Sequence, residues 1–256
     1  MRTLIILAIA LAVPSVSLAA NRIIGGTETT IERYPFAAAL LLAPNGLTFN
    51  QECVGSIINI RSVLTAAQCF TRHTSPSQWR VRVGSSSSST GGVVRVAMRI
   101  VSHANFHPQT LNNDIAILRI IGAFSFNEAV AIGTIPSSNL AVATNTTVTI
   151  VGWGANLMEG PYSDTLRQKQ AVVINVNTCR NEYSRLGYTM GTNVVCTSST
   201  ASNAVNDACH GNTGGPVIHN NVIVSIISWM YNCGNPNFYG VHTRVAGYRT
   251  WIQTNQ

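Results

Sequence analysis

The residues able to do chemistry gather in one stretch, Asn206-Asp207-Ala208-Cys209-His210-Gly211-Asn212-Thr213-Gly214-Gly215-Pro216-Val217. Between 207 and 213 it carries a carboxylate, a thiol, an imidazole and a hydroxyl. The paired glycines suit a tight loop beside a strand, where only glycine lets the backbone approach closely. A hydroxyl such as Thr213's becomes a nucleophile only with a base in hydrogen-bond reach and a third group that orients the base. Histidines stand at 73, 103, 107, 210, 219 and 242. Of these, His210 lies three residues from Thr213 and is the one candidate base within the loop. Metal chemistry has little to build on. No C-x-x-C spacing occurs, and His103 and His107, four apart, run into Pro108 and strand-like flanks rather than a helix. We expect no metal and no cofactor.

The stretch resembles the nucleophile loop of the chymotrypsin/trypsin-like serine proteases (peptidase S1), whose pattern is D-x-C-x-G-D-S-G-G-P. Asp207, Cys209, Gly211 and Gly214-Gly215-Pro216 match in place, but Asn212 stands for the aspartate and Thr213 for the nucleophilic serine. Likewise Thr65-Ala66-Ala67-Gln68-Cys69 resembles T-A-A-H-C, with Gln68 where the base belongs. The orienting acid is kept as Asp114, in Asn113-Asp114-Ile115-Ala116-Ile117-Leu118. The resemblance thus implies a triad reading Gln68/Asp114/Thr213. An amide nitrogen does not titrate, so Gln68 cannot take a proton near neutral pH. Thr213 adds a methyl that restricts its rotamer. Losing nucleophile or base costs about a million-fold in turnover in a related triad, roughly 8 kcal/mol of transition-state stabilisation. Asp114 is then left to accept a hydrogen bond from the Gln68 amide.

The resemblance implies further roles. The backbone N–H groups of Gly211 and Thr213 would form the oxyanion hole. Asp207 matches the acid at the bottom of an arginine/lysine pocket. Ser228-Trp229-Met230 resembles S-W-G, with Met230 crowding an entrance that glycine would leave open, and Gly240 keeps the second pocket glycine. Arg22 before Ile23-Ile24-Gly25-Gly26 resembles a zymogen cleavage site. The family pairs the freed ammonium, here that of Ile23, with residue 212. Asn212 supplies no counter-charge, and an unpaired buried charge costs about 3–5 kcal/mol.

Around the site, many short apolar runs broken by turn residues argue for a sandwich or barrel. Strands are expected over 37–43, 55–60, 79–83, 93–101, 115–120, 147–151, 170–176, 194–197, 217–218, 223–229 and 240–244. Val245, Tyr248, Trp251 and Ile252 share one helical face, so the tail forms a short docked helix. The resemblance covers essentially everything after residue 22. It implies an all-β fold of two six-stranded antiparallel Greek-key barrels, at about 23–130 and 131–244, and a helix at about 245–254. Its details lean toward the insect midgut trypsin branch, as in Ile31-Glu32-Arg33-Tyr34-Pro35, Arg80-Val81-Arg82-Val83-Gly84-Ser85 and Asn177-Thr178-Cys179-Arg180-Asn181.

Residues 1–20 read as a secretory signal peptide, too short in its apolar run to span a bilayer, with 21–22 as a short propeptide. The mature protein is expected to be soluble, extracellular and monomeric, with the gut lumen as a suitable setting. Six cysteines in a secreted chain imply three disulfides, with about 15 pairings open from sequence alone. The resemblance selects Cys53–Cys69, Cys179–Cys196 and Cys209–Cys233. Asn145-Thr146-Thr147 is a glycosylation sequon. Net charge is +7, with Lys169 the only lysine, but the arginines are scattered singly, which argues against nucleic acid as a partner. Two functions follow. One is a secreted, non-catalytic homologue that binds proteins or peptides, such as protease inhibitors, as decoy or regulator. The other is a digestive trypsin-like endopeptidase of weak or unconventional activity.

Overall fold

The computed structural model describes residues 26–155, 162–199, 212–232 and 238–256. After a two-residue strand β1 (Thr27–Glu28), six strands follow: β2 (Ala37–Leu42), β3 (Asn50–Ile57), β4 (Ser62–Thr65), β5 (Trp79–Val83), β6 (Val93–Ser102) and β7 (Ala116–Ile120). They close into a barrel in the order β2-β3-β4-β7-β6-β5. The second set is β8 (Thr147–Gly152), β9 (Arg167–Ile174), β10 (Val194–Ser199), β11 (Pro216–His219), β12 (Val222–Trp229) and β13 (Gly240–Arg244). Its order is β9-β10-β13-β12-β11-β8, closed by a β8–β9 ladder, with β1 added outside β9. Both rings therefore run first-second-third-sixth-fifth-fourth, one topology used twice.

Side-chain alternation explains how the rings pack. On β5, Trp79, Val81 and Val83 are buried while Arg80 and Arg82 point out. Strand β2 is buried on both faces, and so reads as a continuous apolar run rather than an alternating one. Ala38, Leu40 and Leu42 fill the first barrel, with Val63, Trp79 and Leu118. Ala37, Ala39 and Leu41 face a core between the barrels that includes Val54, Ile117, Val151, Trp153 and Ile226. The second barrel has its own core around Val148, Val173, Val195 and Val224.

Several elements depart from the sequence expectation: β3 covers Asn50–Ile57 rather than 55–60, and β4 has no counterpart among the expected strands. Helix α1 (Val176–Arg185) follows β9, capped by the Asn175 side chain, which accepts from the Asn177 and Thr178 backbone N–H groups. Only Cys179 and Tyr183 are buried on it, too short an apolar stripe to register as a helical period. At the tail, Val245–Tyr248 forms a 3₁₀ turn before α2 (Arg249–Asn255). Cys53–Cys69 and Cys179–Cys196 are bonded as the resemblance implies. Cys209 and Cys233 lie outside the described residues.

The Ser/Gly segment 85–92 has the low-complexity composition of a solvated connection, but the structure makes it a clasp between the barrels. Ser86 O accepts from Leu166 N–H (2.7 Å) and Trp153 Nε1 (2.8 Å), and Ser86 Oγ from Ile31 N–H (2.9 Å). Asp164 draws in Ser87 Oγ at 2.9 Å and Ser89 N–H at 2.9 Å.

Candidate active-site region

Three elements bring the triad-equivalent positions together. The 3₁₀ turn Ala67–Phe70, directly after β4, carries Gln68. Asp114 precedes β7, and Thr213 sits in the turn that enters β11. The turn is welded to the first barrel, since Val54 N–H donates to Thr213 O at 2.9 Å and Cys69 Sγ lies 3.9 Å from the same oxygen. Its glycines are structural necessities. Gly214 has φ +81°, and a Cβ there would lie 2.0 Å from Thr65 Oγ1 and 2.4 Å from Val54 O. No larger residue fits.

Asp114 is fully buried. Its Oδ1 accepts from Gln68 N–H at 2.8 Å, and its Oδ2 from Gln68 Nε2 at 2.7 Å and Ser228 Oγ at 2.6 Å. Burial pushes its carboxyl above the usual range, opposed by hydrogen bonds from Ser228, Gln68 and Ala67. The second Nε2 hydrogen of Gln68 goes to Ser228 O, also at 2.7 Å. Both hydrogens of the amide are thus committed, and its remaining polar atom is an oxygen without basicity. No described residue hydrogen-bonds the Thr213 hydroxyl. Thr243 Oγ1 anchors the acid from behind by donating to Asp114 O at 2.8 Å.

Asn212 is held in a notch. Its Oδ1 accepts from Gly154 N–H at 2.8 Å, and a Cβ on Gly152 or Gly154 would come within 2.3 Å of its side chain. Its backbone oxygen receives Gly215 N–H at 2.9 Å, closing the turn. The amide oxygen is therefore satisfied by neutral backbone. Ile23 and Arg22 lie outside the described residues, as do Asp207, His210 and Gly211.

Of the implied pocket, Ser228, Met230 and Gly240 are described. Ser228 is buried against Asp114, while Met230 is half-buried at the end of β12. A Cβ on Gly240 would lie 3.0 Å from His242 Nε2 and 3.1 Å from Thr197 Oγ1. His242 is fully buried, bonded to Thr197 Oγ1 at 2.7 Å, and its pKa is pushed down to about 3 by burial. His103 and His107 both accept local backbone N–H groups at Nδ1, from Asn105 and Thr110.

Sequence reasoning missed the two-fold part of Ser228 and the Gly152/Gly154 notch. The spacing of two glycines around Trp153 was the available signal for a close backbone approach. It also missed an aromatic wall beside the site, where Trp229 packs on Tyr183 (4.7 Å between centroids) and Tyr188 (5.7 Å), and Tyr188 on Tyr231 (5.5 Å). Burial raises the Tyr183 hydroxyl to about 12.

Comparison with known proteins settles the ancestry. The trypsin family model matches residues 23–252. The chain belongs to the trypsin family. It is 41% identical over 244 residues to alkaline trypsin A of Manduca sexta, covering 95% of this chain and 94% of that one. It is 40% identical over 235 residues to trypsin CFT-1 of Choristoneura fumiferana, covering 92% and 91%. These place it with insect trypsins. Among solved structures, the scabies mite inactivated protease paralogue S-D1 superposes with a TM-score of 0.80 at 25% identity, covering 90% of this chain and 95% of that one. Within this trypsin fold no described helix is long and apolar enough to cross a membrane.

Proposed function

We propose that this trypsin-family chain is a secreted, non-catalytic homologue that works by binding proteins or peptides, with protease inhibitors as the first candidates. One observation carries the reading: the position of the general base holds an amide whose two hydrogens are bonded to Asp114 Oδ2 and Ser228 O, each at 2.7 Å. Proton transfer from a hydroxyl needs a basic lone pair there. Thr213 for serine and Asn212 for aspartate support the reading independently, as does the likeness to a mite paralogue described as an inactivated protease. The apolar run of 1–20 supports secretion.

The experiment is hydrolysis of arginyl and lysyl amide substrates by the purified mature protein. Background rates are expected. A rate within about a hundredfold of an active trypsin overturns the proposal, because loss of the base alone should cost about a million-fold. Binding is tested with an arginine-presenting inhibitor by calorimetry. Docking into a cleft needs no proton transfer, but Met230 crowds the entrance, so affinity is expected to be micromolar at best, about −8 kcal/mol. Met230→Gly should tighten it and Asp207→Ser should remove the preference for arginine. If neither changes affinity, the old cleft is not the binding surface.

A further inference from the structure

The outer wall of the first barrel carries an uncompensated arrangement of charge. Arg99 on β6 and Arg119 on β7 are direct cross-strand partners, and like charges directly opposite destabilise a sheet. No described residue makes an ion pair or hydrogen bond with either guanidinium, and Arg119 Nε is buried without a partner. The sequence offers no relief, with no Asp or Glu anywhere from 53 to 113.

Beside these arginines the wall is apolar. Val94, Val96 and Met98 on β6 are 42%, 38% and 48% exposed, and Ile121, whose N–H bonds Val96 O, is 57% exposed. Register sets Arg82 opposite Val94 and Arg80 opposite Val96. Arg80 and Arg82 are tied to backbone carbonyls, Ser77 and Trp79 for one, Ser88 and Ser89 for the other. An apolar stripe therefore runs between two arginine rows. Residues that sequence shows as single arginines are gathered by the barrel into one cationic, partly apolar face.

We propose that this face docks an extended acidic segment of a partner protein, its carboxylates on Arg99 and Arg119 and its apolar side chains on Val94, Val96 and Met98. Charge complementarity selects the occupant. A purely anionic polymer would leave the stripe uncovered, and a neutral apolar segment would leave Arg99 against Arg119. The surface uses none of the triad-equivalent residues, so it stands whether or not the cleft is inert.

The probe is a fluorescein-labelled synthetic peptide alternating Asp with Ile, followed by anisotropy against the full mature chain. We expect saturable binding that weakens on the order of tenfold or more between about 0.05 and about 0.5 M salt. Arg99→Glu/Arg119→Glu should weaken it at least as much, and Arg185→Glu, on α1, should not. Arg99→Glu alone is the discriminating variant. It turns a like-charge pair into an ion pair, so binding should fall while the thermal midpoint holds or rises. If the arginines matter only to the barrel, the midpoint falls and binding stays. Failure of the peptide to bind, indifference to charge reversal, or binding only to phosphatidylserine vesicles would overturn the proposal.

Discussion

On the proposed reading, Gln68 fills the general-base position with an amide that packs against Asp114 and Ser228 and cannot take a proton. Its amide bridges a buried carboxylate and a backbone oxygen, and truncating it takes the donor from Ser228 O and leaves Asp114 with the residue-68 N–H and Ser228 Oγ. Gln68→Ala should therefore cost about 1–3 kcal/mol in urea unfolding, the usual penalty for an unsatisfied buried group. Gln68→Glu should cost more, by setting a second carboxylate against Asp114. The proposal predicts that restoring the base and nucleophile is not enough to restore chemistry. Gln68→His with Thr213→Ser should recover little amide hydrolysis, and adding Asn212→Asp should give a disproportionate gain by supplying a counter-charge for Ile23. Full activity from the double change would refute that role for residue 212. His242 gives a pH signature of its own. Its folded pKa, about 3, lies below the unfolded value of about 6.5, so its contribution is complete above about pH 6.5 and is lost as pH falls toward 3. His242→Phe should flatten the stability profile across that window.

At the scale of elements, the clasp 85–92 is the clearest case of a segment whose meaning is tertiary. Its serines look like a solvated linker, because nothing local distinguishes a serine facing water from one facing Asp164 seventy-odd residues away. Hydrogen bonds led by Ser89, with Ser87 and Ser88, hold the Asp164 carboxyl below its usual range. A depressed folded pKa means that the clasp is intact above the ordinary carboxyl pKa of about 3.9 and lost as pH falls through the folded value. Asp164→Ala should increase hydrogen exchange at Leu166 and Ser88 near neutral pH. It should also remove the acid-dependent part of that exchange. Unchanged exchange would show that Ser86 alone holds the barrels together there. Strands were mostly legible for an opposite reason. Trp79–Val83 and Gly240–Arg244 fall on their expected limits because inward apolar residues alternate or run unbroken between turns. Strand β4 escaped because only four residues carry it, two of them Ser62 and Thr65, buried polar side chains.

For the molecule as a whole, the twin barrels, their shared core and two described disulfides were readable through family motifs rather than through period alone. Composition could only say that many short strands close on themselves. Gln68, Asp114 and Thr213 could be singled out because each sits in a motif whose neighbours are intact. What stayed hidden depended on distant residues meeting, as in Ser228 against Asp114, Gly154 against Asn212, and Arg99 against Arg119. The central claim is that this trypsin-family fold presents no activated hydroxyl. A serine-directed phosphonylating reagent followed by intact mass tests it without dependence on any choice of peptide substrate. The account predicts an unmodified mass after exposure sufficient to label an active trypsin completely. A stoichiometric adduct mapped to Thr213 would contradict it, and would require a base other than Gln68.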